Sequence, residues 1–170
     1  MAAGVGTALA QSNERATQVN ERIAVSKMIA AARARAGARW FYWIAALSMI
    51  NSLVVIFGGN FHFVIGLGIT SLVDAVAKRV GSAGNMLDIV INGFVAGVFA
   101  LFGYFGTKAQ KWAFLVGMGL YAADGLLLLG VKDYNGIWML GGEEYLSLGF
   151  HAYALYAIYR GYEAAQQIQV

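Results

Sequence analysis

Between Asp88 and Gly106 the chain reads DIVINGFVAGVFALFGYFG: nineteen residues with one charge, at the first position, and one amide, Asn92. Coiled as an α-helix at about 1.5 Å per residue, such a run reaches close to 30 Å, the thickness of bilayer hydrocarbon. Comparable apolar blocks lie on both sides of it. They run from Trp40 to Gly58, from Phe61 to Ala77, from Trp112 to Gly130 and from Tyr145 to Tyr162. The breaks between them are polar: Gly59 and Asn60; Lys78 and Arg79 with the stretch Val80 to Leu87; Lys108 and Lys111; and the longer Val131 to Glu144, which holds Lys132, Asp133 and Asn135. The pattern predicts an all-α fold, a polytopic transmembrane helix bundle of about five spans. The second block is the weakest span because Asp74 lies inside it, and the fifth is less apolar and tyrosine-rich.

Composition agrees. Of 170 residues, 59% are hydrophobic and 12% are charged, against about 25% charged in a soluble domain. So few polar residues cannot cover a water-facing surface, whereas lipid solvates apolar side chains directly. The net charge of +3 gives no reason to expect nucleic acid as a partner. With no cysteine, disulfides, thiolate metal sites and cysteine nucleophiles are excluded. With no proline, no helix is kinked by one. The run Ala2 to Ala10 is too short for a signal peptide and lacks a basic start.

Three regions are expected: a basic N-terminal arm over 1–39, helical from about Ala16 to Arg39; the bundle over 40–162; and a short tail over 163–170. Val19, Ile23, Met28 and Ile29 do not form a single stripe, so the arm is only weakly amphipathic. It is expected to dock on the protein's own body, on a partner or on lipid, and Arg33, Arg35 and Arg39 are candidates for contact with an anionic lipid or partner. Orientation follows from charge. With a cytoplasmic N-terminus and five crossings, nine Lys and Arg fall inside and three (Lys108, Lys111 and Arg160) outside, an N-in, C-out arrangement. Trp40, Trp43, Trp112 and Trp138 lie near span ends, as interfacial anchors do.

Phe63-Val-Ile-Gly-Leu-Gly-Ile69 is echoed by Phe114-Leu-Val-Gly-Met-Gly-Leu120, each followed by an aspartate, Asp74 and Asp124. A duplicated helical hairpin and a chance likeness between glycine-rich helices both remain open readings.

The candidate site is an intramembrane polar cluster of Asp74, Asn92, Asp124 and His151. A carboxylate is costly in hydrocarbon and normally faces the protein interior. Depths counted along the five spans place these four in the cytoplasmic half, with Asn51 nearer the other side. The cluster could bind an ion, a proton or a small polar ligand. The plainer alternative is interhelical hydrogen bonding that fixes helix order, with Asp74 reaching toward Lys78. His151 and Glu144 share a helix face seven residues apart, but there is no Glu-x-x-His pair and His62 falls on the opposite side, so no metal site is expected. No nucleophile-elbow or zinc-protease motif is present, and no enzyme is expected. Gly93 and Gly97 in the third block, Gly119 and Ala123 in the fourth, and Ala157 and Gly161 in the fifth have small-xxx-small spacing, which suits close helix packing within the fold or in an oligomer. The tyrosines spaced every third residue after Phe150 spiral around the helix and are read as packing and interface anchors.

The phrases Asn51-Ser-Leu, Gly66-Leu-Gly-Ile-Thr, Trp112-Ala-Phe, Gly117-Met-Gly-Leu-Tyr, Asp124-Gly and Phe150-His resemble a widespread group of small bacterial multipass membrane proteins with no assigned function. The resemblance covers roughly 40–162. It implies membrane class and a bacterial origin, with the arm as an addition. The leading expectation is a non-enzymatic accessory or scaffold subunit of a bacterial inner-membrane assembly, binding lipid and other membrane subunits or itself, with no cofactor. One alternative is a small oligomeric transporter or channel for protons, cations or a polar solute. Another is a pigment- or cofactor-binding protein with His151 as a ligand, which an absorption spectrum would reveal.

Overall fold

A computed structural model of the chain describes residues 2–56, 82–130 and 142–168. These residues form four α-helices and, among them, no strand: α1 (Ala2–Ile56), α2 (Ser82–Thr107), α3 (Lys111–Gly130) and α4 (Gly142–Ile168). The second apolar block, with Asp74, and most of the loop expected after the fourth, with Trp138, lie outside the described residues.

α1 is 55 residues long and runs unbroken through the boundary expected at Arg39. Alanine and straight-chain residues dominate its middle, and no proline interrupts it. From residue 11 to residue 29 every side chain is exposed. From residue 11 onward the first buried side chain is Ala30, followed by Ala34, Ala38, Phe41, Ile44 and Ala45. The arm and the first block are therefore one element, and its docking on the protein's own body begins at Ala30. At the other terminus, the expected tail is helical through Ile168, with Ala164 and Ala165 buried.

The helices pack in a ring, α1 beside α2 and α4, and α3 beside the same two. All neighbours are antiparallel. Ala38 faces Gly106, Tyr42 faces Gly103, and Ser52 meets Asn92, which sets α2 against α1. Gly37 lies on Gly161, and Trp40 packs on Tyr153, which sets α4 against α1. This corrects the expected direction of the third block. Five alternating spans would make α2 parallel to α1, and α2 is antiparallel.

Glycines set the closest approaches. A Cβ on Gly37 would lie 2.5 Å from the Gly161 Cα, so α1 and α4 touch backbone to backbone. A Cβ on Gly117 would lie 2.5 Å from the Phe41 ring, which enters the space that α3 leaves there. Phe41 then sits among Phe99, Phe102 and Phe114, with ring centroids 5.9–6.3 Å away. Such aromatic pairs add stability beyond the area they bury.

The turn between α2 and α3 is a Schellman motif. Gln110 N donates to Phe105 O at 3.1 Å and Ala109 N to Gly106 O at 2.9 Å. The position needing left-handed backbone is Ala109, at φ 57°.

By length and composition Ile89–Thr107 in α2 can cross a membrane, and it is the helix segment among the described residues that does so.

Candidate functional site

The antiparallel registers place the buried polar side chains at one height. Ser48, Asn51 and Ser52 come from α1, Asn92 from α2, Asp124 from α3, and Ser147 and His151 from α4; all are buried. Together with Tyr121 they occupy a layer about 10 Å deep along the bundle axis, at about 1.5 Å per residue. On the outside of the same layer lie Ile50, Leu53, Ile89, Val90, Phe94, Leu126, Leu127, Tyr145 and Leu146, all exposed. Polar groups face inward and apolar groups outward, the reverse of a water-soluble bundle.

The polar layer contains two hydrogen-bonded pairs. Asn92 Nδ2 donates to Ser52 Oγ at 2.7 Å, tying α2 to α1. Ser52 and Ser48 return their hydroxyls to the carbonyls of Ser48 and Ile44, one turn back. The second pair ties α3 to α4: His151 Nε2 lies 3.0 Å from Asp124 Oδ2. The other ring nitrogen, Nδ1, is 2.8 Å from Ser147 O. A carbonyl only accepts, so Nδ1 carries a proton and donates it. The Nε2–Oδ2 contact then needs one further proton, held either as imidazolium facing carboxylate or as neutral imidazole facing carboxylic acid. Without it two acceptors would face each other at 3.0 Å. The geometry thus defines a one-proton site.

α3 holds the imidazole on two sides. Tyr121 stacks on it with centroids 4.4 Å apart and planes 11° from parallel. Gly125 leaves the space beside it, since a Cβ there would lie 3.1 Å from His151 Cδ2. The Tyr121 hydroxyl is buried and has no hydrogen-bond partner among the described residues.

Of the four cluster residues read from the sequence, Asn92, Asp124 and His151 share this layer, in separate pairs; Asp74 lies outside the described residues. Two expectations are corrected. Asn51 belongs to the layer instead of standing apart. The layer also lies toward the end where α1 finishes and α2 begins, opposite the arm, because α2 descends where five alternating spans would have it ascend. Ser48, Ser52, Tyr121 and Ser147 were not singled out. The serines could have been found by extending the Phe41, Ile44, Ala45 stripe of α1 by one and two turns.

The glycine motifs divide. A Cβ on Gly93, Gly97 or Gly119 would meet nothing within 4 Å, and Ala123 is exposed. Among the described residues, these four therefore make no close helix–helix contact. Gly161, with Ala157 one turn before it, does pack against α1. Among the described residues no three His, Asp or Glu side chains converge as metal ligands.

Every described Lys and Arg lies toward the end where α1 enters the bundle. Arg15, Arg22, Lys27, Arg33, Arg35 and Arg39 are on α1, Lys108 and Lys111 flank the α2–α3 turn, and Arg160 is near the end of α4. Trp40, Trp43 and Trp112 lie at the same end. Arg33, Arg35 and Arg39 are all exposed. Compared with known proteins, the chain matches no family model, no curated protein and no solved structure.

Proposed function

We propose that the chain is a multipass bacterial inner-membrane protein of the small uncharacterised kind it resembles, that the end of the bundle bearing the basic residues faces the cytoplasm, and that the polar layer binds and passes a proton or proton-linked cation as part of a small transport unit. The observation that carries the transport reading is the buried Asp124–His151 pair, whose hydrogen bonding requires one proton between the two side chains. Ionisable groups inside a membrane bundle characteristically line ion and proton paths. What supports the membrane reading is the apolar exterior around a polar interior, together with basic and tryptophan residues gathered at one end.

Asp124→Asn is the decisive variant. An amide can still donate to His151 Nε2, so the pair keeps its hydrogen bond and shape while losing the titratable carboxylate. Purified protein in liposomes is expected to carry a proton- or cation-dependent flux that Asp124→Asn abolishes. Wild-type liposomes tight to protons and common cations would overturn the transport reading and leave the pair as a lock between α3 and α4.

A second reading, the accessory or scaffold subunit, is favoured by α1. Val19, Ile23, Val25, Met28 and Ile29 are exposed on a helix that extends beyond the bundle. Deleting residues 2–28, which spares the buried Ala30 and Ala34, is expected to leave insertion intact and release co-purifying subunits. Unchanged co-purification would count against it.

A further inference from the structure

At the basic end a cleft of about 320 Å³ opens between α1 and α4, lined by Arg33, Ala36, Gly37, Trp40, Ala157 and Arg160. From this cleft we infer a specific binding site for the headgroup of an anionic glycerophospholipid, with Arg33 and Arg160 holding the phosphate. The inference rests on the membrane reading above, though not on the transport reading.

The cleft exists because Gly37 and Gly161 bring the two backbones into contact at its floor. That contact places two guanidinium groups, 127 positions apart in sequence, on either side of one opening. Guanidinium forks match phosphate oxygens and bind them through paired N–H groups. Arg160 is kept near the opening by its neighbours one turn away: Nη1 lies 3.5 Å from the Tyr156 hydroxyl and Nε 3.6 Å from Glu163 Oε2. Glu163 and Arg160 are both about half exposed. An exposed pair of this kind is weak and yields to a phosphate ester that can engage both arginines. Trp40 forms the upper wall, packed on Phe150 and Tyr153. Above it the outward faces of Trp43, Tyr153 and Tyr156 continue toward the apolar exterior, a path for acyl chains leading from a charged mouth. A free anion has no use for that path, which is why the site is assigned to a lipid.

Arg35 and Arg39 are not part of it. At about 100° per residue they lie more than about 100° around α1 from the cleft face. Three arginines that look equivalent in sequence therefore separate into one lining the cleft and two on another face.

The test is native mass spectrometry of the full-length protein in mild detergent, titrated with phosphatidylglycerol and with phosphatidylcholine of the same acyl chains. One phosphatidylglycerol is expected to bind with a preference on the order of tenfold over phosphatidylcholine. Arg33→Gln with Arg160→Gln is expected to abolish the preference, and Arg35→Gln with Arg39→Gln to preserve it. Equal loss in the two double variants would reduce the effect to the general field of the arm and overturn the site. Displacement of the lipid by inorganic phosphate at matched ionic strength would make it a small-anion site and overturn the lipid assignment. Both pairs are exposed, and an unchanged thermal melt checks the fold. Failure of the membrane reading has a separate signature, release of the protein from native membranes by alkaline carbonate. Equal binding of both lipids by a carbonate-resistant protein refutes the headgroup site alone.

Discussion

Tyr121 is fully buried, stacked on His151, and its hydroxyl has no partner among the described residues. A buried hydroxyl left unbonded costs roughly 1–3 kcal/mol. Tyr121→Phe keeps the ring and removes that cost, so thermal stability in detergent is expected to hold or rise. Tyr121→Leu loses the stack and is expected to melt earlier. A clear destabilisation by Tyr121→Phe would mean that the hydroxyl is bonded after all. At this scale the sequence was informative where the chemistry is rare and silent where it is common. An aspartate or histidine inside an apolar run is expensive enough in lipid to stand out, and Asp124 and His151 do meet. Serines are tolerated almost anywhere in a membrane helix, because each can return its hydroxyl to its own backbone. Ser48 and Ser52 do so, and nothing about them locally announces that Asn92 reaches Ser52 from another helix.

Helices are joined and spaced here by small residues whose partners are not neighbours in sequence. Ala109 occupies the left-handed position of the α2–α3 turn, where an L side chain costs about 1–2 kcal/mol and glycine nothing. Ala109→Gly is expected to stabilise the protein by about 1 kcal/mol, net of the greater freedom of glycine in the unfolded chain; a lower melting temperature would contradict the assignment. Gly161→Val places a branched side chain where no Cβ fits, and it is expected to separate α1 from α4 and lower the melting temperature by several degrees. Gly93→Ala, whose Cβ meets nothing within 4 Å among the described residues, is expected to leave the melt of the isolated chain unchanged. Spacing alone could not rank these glycines. The motif at Gly93 and Gly97 is a property of one helix, while a close contact is a property of two.

For the molecule as a whole, apolar blocks and basic clusters were legible from composition, and the direction of each helix was not. Direction depends on which helices pack together, a property of pairs of segments that composition along one chain does not carry. The contacts of Ala38 with Gly106 and of Ser52 with Asn92 set α2 antiparallel to α1, and all nine described basic residues then gather at one end. The expectation is that single cysteines at Gln11, Gln110 and Gln166, introduced into a chain with none of its own, react with a membrane-impermeant maleimide only from the cytoplasmic side. Labelling of Gln110→Cys from outside would restore the five-crossing count. The unbroken course of α1 has a mechanical consequence. One unbroken helix carries Ser48, Asn51 and Ser52 in the polar layer and continues about 40 Å past Ala30. It is a lever with its fulcrum at the Gly37–Gly161 contact. A tilt of about 10° there would sweep the start of the helix through roughly 9 Å, at about 1.5 Å of lever per residue. Small repacking around Asn92 would in this way become a large displacement at the start of α1.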